Sequence, residues 1–190
     1  MHFELKEKRQ NMKKKKKIFA IIGSASRNSA SHQVVKHFAD LAKDDFILTV
    51  FNDLKMLPHF DPELSATNPP DLVTRFRNEI EKADAILICT PEYVFSIPSG
   101  LKNAIEWCVA TTVFSNKYCG IIAASASGQK AHEELQMIMK TVMANFTKDT
   151  TLLIQGIKGK LNEQGKITDE NTNRELAKFY DSFKTLTKAW

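Results

Sequence analysis

Between residues 23 and 31 the chain reads Gly23-Ser24-Ala25-Ser26-Arg27-Asn28-Ser29-Ala30-Ser31, four hydroxyls and a guanidinium packed into nine residues. An apolar run, residues 18–22, precedes it, and Val34, Val35, Phe38, Leu41 and Ala42 follow at helical spacing. Strand, polar loop and helix in that order aim free backbone N–H groups and the positive end of a helix dipole at one spot, where an anion, most often a phosphate, can sit. The loop has a single glycine. It therefore satisfies neither Gly-x-x-x-x-Gly-Lys-Ser/Thr nor Gly-x-Gly-x-x-Gly, and its hydroxyls must supply much of the binding. Ser29 or Ser31 also suits the N-cap of the helix that follows.

A second stretch has a different chemistry. Thr90-Pro91-Glu92-Tyr93-Val94-Phe95-Ser96-Ile97-Pro98 places two prolines around an aromatic pair, where a surface turn would ordinarily be rich in Gly, Asp or Asn. A stiff loop with exposed backbone amides and aromatic faces suits a flat heterocycle. The other reactive side chains are poorly arranged for chemistry of their own. His2, His32, His37, His59 and His132 show no metal-ligand spacing. Three cysteines, Cys89, Cys108 and Cys119, are an odd count with no close spacing, which argues against a disulfide framework or a structural zinc site. Cys89 and Cys119 sit in apolar runs and read as small buried hydrophobes of a reducing compartment.

The elements that must position these stretches alternate along the chain. Apolar runs at residues 18–22, 46–51, 85–90, 118–124 and 150–154 read as five strands. Helical patterns lie between and after them, at residues 98–110, 130–146 and 169–189, with a further helix marked by Leu72, Phe76 and Ile80. The segment through Pro58, Pro62, Pro69 and Pro70 reads as a loop. The expected fold is α/β, a doubly wound five-stranded parallel sheet covered by helices on both faces. For strand order 2-1-3-4-5, connections leave strands one and three in opposite directions, and a ligand binds outside their carboxyl ends. That topology puts residues 23–31 beside residues 90–98.

A chain of 190 residues, 43% hydrophobic, is enough for one domain with a full core. The net charge of +5 is unevenly spread. Residues 1–17 hold eight Lys and Arg against two Glu, leaving nineteen basic and twenty acidic residues, a net of −1, for the rest. Residues 1–17 read as a basic, disordered, solvated tail and residues 18–190 as the domain. Lys13 to Lys17 followed by an apolar run imitates a secretory signal, but five apolar residues fall short of the roughly seven such a core needs. No run approaches the roughly 18 apolar residues of a membrane span. A cytoplasmic protein with no membrane partner and no specific nucleic-acid partner is expected.

The two stretches resemble those of the NAD(P)H-dependent FMN reductase family, flavodoxin-like flavoproteins that include quinone, chromate and azo reductases. Gly23-Ser24-x-Ser26-Arg27-x-Ser29-x-Ser31 looks like that family's FMN-phosphate loop. Pro91-Glu92-Tyr93, continued by Ser96-Ile97-Pro98-Ser99-Gly100-Leu101-Lys102-Asn103-Ala104-Ile105-Glu106-Trp107, closely resembles its second signature, Pro-Glu-Tyr … Ser-x-Pro-x-x-Leu-Lys-Asn-Ala-x-Asp-Trp. The resemblance implies that Ser24, Ser26, Arg27 and Ser31 hold the FMN phosphate, with His32 nearby. It implies that Pro91, Glu92, Tyr93 and Ser96 line the isoalloxazine, with Val94 and Phe95 beside it, and that Ser125, Ser127 and Gly128 close the other side. Lys102, Asn103 and Trp107 would fix the loop and helix, a helix that in this family often joins subunits into dimers or tetramers.

Three departures stand out. Ser26 replaces an arginine usual in the family, with Arg27 one step later. Val94-Phe95 stands where the family often has Asn and a small residue, implying a bulkier, more apolar ring pocket. The loop after strand four lacks the family's frequent paired glycines. The implied activity is transfer of two electrons from NADPH or NADH, through bound FMN, to a quinone, azo, metal-oxyanion or flavin acceptor by a ping-pong route. Catalysis then needs no side-chain acid or base, and Glu92 reads as a loop-organising carboxylate. The alternative is a flavodoxin-type electron carrier, although such carriers tend to be strongly acidic. A P-loop hydrolase would need a lysine and a Mg²⁺ aspartate that are absent.

Overall fold

A computed structural model describes residues 15–26 and 28–188. Five strands, β1 (Lys16–Ile22), β2 (Phe46–Phe51), β3 (Ala85–Thr90), β4 (Tyr118–Ser125) and β5 (Thr151–Gln155), form one parallel sheet in the order β2-β1-β3-β4-β5. The flavodoxin-like α/β expectation holds. β1 starts two residues before the apolar run, inside the stretch assigned to the tail, because pairing of Lys16 with Phe46 and Lys17 with Ile47 uses backbone and not side chains. Lys17 N–H also donates to Asp84 Oδ2 at 2.7 Å. Residues 1–14 lie outside the described residues, as does Arg27.

Helices cover both faces: α1 (Ala30–Ala42), α2 (Pro62–Thr67), α3 (Asp71–Lys82), α4 (Ser99–Glu106), α5 (Gln129–Thr141) and α6 (Glu170–Lys188). Alternation along β1 sends Phe19 and Ile21 to one core with α3, α4 and α5, and Ile18, Ala20 and Ile22 to a second core with α1 and α6. β3 is buried along its whole length, as a central parallel strand sandwiched between helices must be.

Several boundaries differ from the sequence reading. α2 forms inside the proline-rich segment, where Asp61 accepts from the N–H groups of Glu63 and Leu64 and Pro62 takes the first helical position. α4 stops at Glu106 because buried Arg77 takes the carbonyl of Trp107, donating from Nε at 2.8 Å and from Nη2 as well. α5 ends at Thr141, short of residue 146. There Met143 turns left-handed, at φ 61°, and Ala144 N–H closes back on Met139 C=O at 2.9 Å.

Candidate functional site

The loops after β1 and β3 meet at the carboxyl edge of the sheet. Gly23 N–H donates to Cys89 C=O at 2.8 Å, and a Cβ at Gly23 would fall 2.5 Å from Thr90 Oγ1 and 2.9 Å from Leu101 Cδ2. Only glycine lets the first loop lie this close to the end of β3. A 3.2 Å bond between Ser24 Oγ and Tyr93 Oη then joins the two loops.

Together they border an open cleft of about 1010 Å³, at the top of the range of roughly 300–1,000 Å³ for small-molecule and cofactor sites. Ser24, Ser26 and Ser31 from the first loop, Pro91, Glu92 and Tyr93 from the second, and Ser125 from the third line it. His32, Val94, Phe95, Ser96, Ser127 and Gly128 do not. Sequence reasoning missed Asn28, Gln33, Ala126 and the wall formed by residues 156–165, whose only local signal is three glycines within ten residues.

The serines divide the work. Ser29 is the N-cap of α1, its Oγ accepting from His32 N–H at 3.2 Å, which settles the cap between Ser29 and Ser31. Ser24, 3% exposed, accepts from Ser26 N–H at 3.2 Å. Ser31 is 1% exposed and lines the cleft; its hydroxyl has only the Cys89 thiol, a weak partner, beside it and no oxygen or nitrogen partner. Such a group normally carries a desolvation penalty of about 1–3 kcal/mol, which an anion in the cleft would remove. The polar atoms thus fit a phosphate.

The second loop is a tight hairpin. Tyr93 N–H donates to Ser96 C=O at 2.9 Å and Ser96 N–H to Tyr93 C=O at 3.1 Å. Val94 and Phe95 at its tip both have positive φ, 52° and 57°, and are 95% and 76% exposed. Left-handed backbone is unfavourable for a β-branched residue, so something must hold it. Two carboxylates pin the hairpin to α5. Glu92 Oε2 accepts from the N–H groups of Lys130 and Ala131 at 2.8 and 3.1 Å, capping a helix whose own N-cap, Gly128, has no side chain to do so. Glu134 Oε2 accepts from Ser96 Oγ at 2.7 Å and Ile97 N–H at 2.8 Å.

Further out, Trp107 Nε1 and Asn103 Nδ2 both donate to Pro58 C=O, at 2.8 and 2.9 Å, and Asn103 Oδ1 accepts from Phe60 N–H at 2.7 Å. These two residues tie α4 to the segment after β2 and not to the hairpin. Lys102 pairs with Glu106 on the surface at 2.7 Å. Thiol chemistry is unavailable at neutral pH. Burial pushes the thiols of Cys89 and Cys108 up to about 12 and that of Cys119 up as well. No group of His, Cys, Asp and Glu among the described residues could hold a metal ion.

A five-stranded parallel sheet of this order, with a phosphate-suited loop and a stiff aromatic loop meeting at its switch point, defines the flavodoxin-like class of cofactor-binding proteins. Residues 16–158 match the NADPH-dependent FMN reductase family, and the chain belongs to it. It is 28% identical over 173 residues to the 2-hydroxy-1,4-benzoquinone reductase of a Burkholderia species, covering 88% of this chain and 93% of that one. Over 169 residues it is 28% identical to a potato (Solanum tuberosum) NAD(P)H:quinone oxidoreductase, covering 84% and 87%. The flavoenzyme NAD(P)H:(acceptor) oxidoreductase FerB of Paracoccus denitrificans superposes with a TM-score of 0.74 at 26% identity, over 91% of this chain and 97% of that one. An archaeal flavodoxin superposes at 0.60 with 8% identity, a likeness of fold alone. Family membership makes this chain an FMN-dependent enzyme using NAD(P)H and sets the carrier reading aside.

Proposed function

We propose that the protein passes two electrons from NADPH or NADH through bound FMN to a small acceptor of the quinone, azo, metal-oxyanion or flavin type, by a ping-pong route. The observation that carries this reading is the convergence of the β1 and β3 loops on one cleft bordered by the buried Ser31, whose hydroxyl has no oxygen or nitrogen partner. FMN, when bound, supplies the site that accepts and then returns a hydride.

The rest is binding and positioning by this chain. Ser24, Ser26 and Ser31, with Arg27 and the first amides of α1, hold the phosphate, and His32 stands next to that loop. Pro91, Glu92 and Tyr93 border the ring, and Ser96 keeps their hairpin in place through Glu134. Val94 and Phe95 stand at its exposed tip. Ser125 faces the same cleft, while Ser127 and Gly128 shape the turn into α5. No side chain acts as a general acid or base: Glu92 spends its oxygen on the α5 amides. Donor and acceptor use the same opening in turn.

We also propose that the flavin-binding domain begins with β1 and that the protein works in the cytoplasm as a homodimer or homotetramer. No helix among the described residues is long and apolar enough to cross a membrane.

Anaerobic titration of the purified protein with FMN, followed by NADPH, tests the reading. Flavin fluorescence should quench on binding, and the oxidised-flavin bands should bleach with NADPH and return when a benzoquinone is added. Protein that takes up no FMN removes the reading.

A further inference from the structure

The wall of the cleft that no motif announced is built by the segment after β5. Gly156 N–H donates to Ala126 C=O at 3.1 Å, and Ile157, 1% exposed, anchors a 3₁₀ turn in the α1 and α6 core. A hairpin follows. Leu161 bridges Ile167, and Asn162 Oδ1 accepts from the N–H groups of Gln164 and Lys166 at 3.1 and 2.9 Å. Gly165, at φ 74°, rests on the side chain of Gln33 in the first turn of α1, so closely that a Cβ there would fall 2.6 Å from Gln33 Cδ. The wall is therefore fixed at both ends, and it reaches back to the helix that starts at the phosphate-suited loop.

This wall brings Lys158 into the cleft, the one basic side chain among the described lining residues. Its neighbours in sequence are occupied elsewhere: Lys160 lies 3.9 Å from Asp169. Lys158 has no hydrogen-bond or ion-pair partner among the described residues, and Glu163, on the same wall, does not pair with it. The described residues of the nearby loop offer hydroxyls and amides, which bind a phosphate without neutralising it, so a dianionic monoester would leave charge for a second cation beyond Arg27 to neutralise.

Resting on the FMN-reductase reading, we infer that Lys158 is a specificity residue for a phosphate monoester. Two bound species carry that group: FMN, at its 5′ end, and NADPH, at the 2′ position of its adenosine. Riboflavin and NADH each lack it. The match to the family ends at residue 158, so the hairpin that supports Lys158 lies outside the part of the chain that defines the family.

The test uses the full chain and four ligands. Dissociation constants for FMN and riboflavin come from fluorescence quenching. KM for NADPH and for NADH comes from steady-state turnover with saturating FMN and a benzoquinone. Lys158→Ala should weaken one monoester by roughly fivefold to tenfold, the loss of one hydrogen bond from an exposed, solvent-screened ammonium, and leave its unphosphorylated counterpart unchanged. A selective loss for FMN over riboflavin assigns the flavin phosphate; a selective rise in KM for NADPH over NADH assigns the donor phosphate. Lys158→Arg should retain the preference in either case.

Lys178→Ala, which removes an exposed charge of α6 paired with Glu175, controls for net charge. Four parameters within twofold of wild type, equal losses for both members of a pair, or the same effect from Lys178→Ala overturn the inference and leave the FMN-reductase reading standing. Wild-type protein that binds neither flavin overturns both.

Discussion

Glu134 and Ser96, 38 residues apart in sequence, are joined by a 2.7 Å hydrogen bond that fastens the β3 hairpin to the side of α5. The same carboxylate oxygen receives Ile97 N–H, so removing it leaves a backbone donor and a hydroxyl without partners. Glu134→Ala should lower unfolding free energy by about 1–3 kcal/mol, read by urea denaturation, and weaken FMN binding in the same protein. Glu134→Gln, which keeps an acceptor oxygen, should recover part of both losses. Unchanged stability in Glu134→Ala would show that the hairpin is held by Glu92 alone.

The left-handed tip makes a prediction of opposite sign. Val94 and Phe95 occupy the two central positions of a two-residue turn that favours Asn-Gly, and such backbone strain costs about 1–3 kcal/mol per residue. Replacing the pair by Asn-Gly should raise the melting temperature. A melting temperature at or below that of wild type would mean that the exposed side chains make compensating contacts.

Gly23→Ala should be severe. The added methyl would meet the side chains of Thr90 and Leu101 within 2.5–2.9 Å, both fully buried and therefore unable to move aside easily. Overpacking of this kind costs about 1–3 kcal/mol or more. Denaturation should show the loss of stability, and FMN titration a parallel loss of affinity, because the two loops are forced apart.

Ser31→Ala separates binding from folding. Its hydroxyl is buried with only the weakly bonding Cys89 thiol beside it, so removal should change stability without ligand by no more than about 1 kcal/mol. Affinity for FMN should nevertheless fall, and affinity for riboflavin should not. Equal affinity for FMN in wild type and variant would remove Ser31 from the phosphate site.

The cysteines set an alkaline limit. Burial raises the folded-state values of Cys89 and Cys108 to about 12, against about 8.5 in the unfolded chain. Raised thiol values favour the folded state fully below the unfolded value. That advantage is lost as pH climbs from roughly 8.5 toward 12, because only the unfolded chain can release the protons. Stability by denaturant titration should therefore decline above pH 9. At pH 7.5 an aromatic disulfide reagent should label no thiol until denaturant is added, and rapid labelling of the native protein would contradict the burial.

The sequence by itself determined the strands, the sheet class and the two loops that meet, because these rest on short-range signals: apolar runs, glycine at a strand end, paired prolines. Ser29 as one of two cap candidates, and the burial of Cys89 and Cys119, were legible for the same reason. Even α2 had a local signature, Asp61-Pro62-Glu63, overshadowed by the prolines around it. Tertiary structure alone decided what depends on distant partners. Glu134 is an ordinary amphipathic-helix residue until the sheet order brings α5 beside the β3 hairpin. Arg77 ends α4 only because α3 packs against it. The wall of residues 156–165 becomes part of the cleft only when its hairpin folds back onto Gln33. Periodicity and capping report on neighbours a few residues away, whereas a cleft at a switch point is assembled from four loops whose proximity is a property of the sheet.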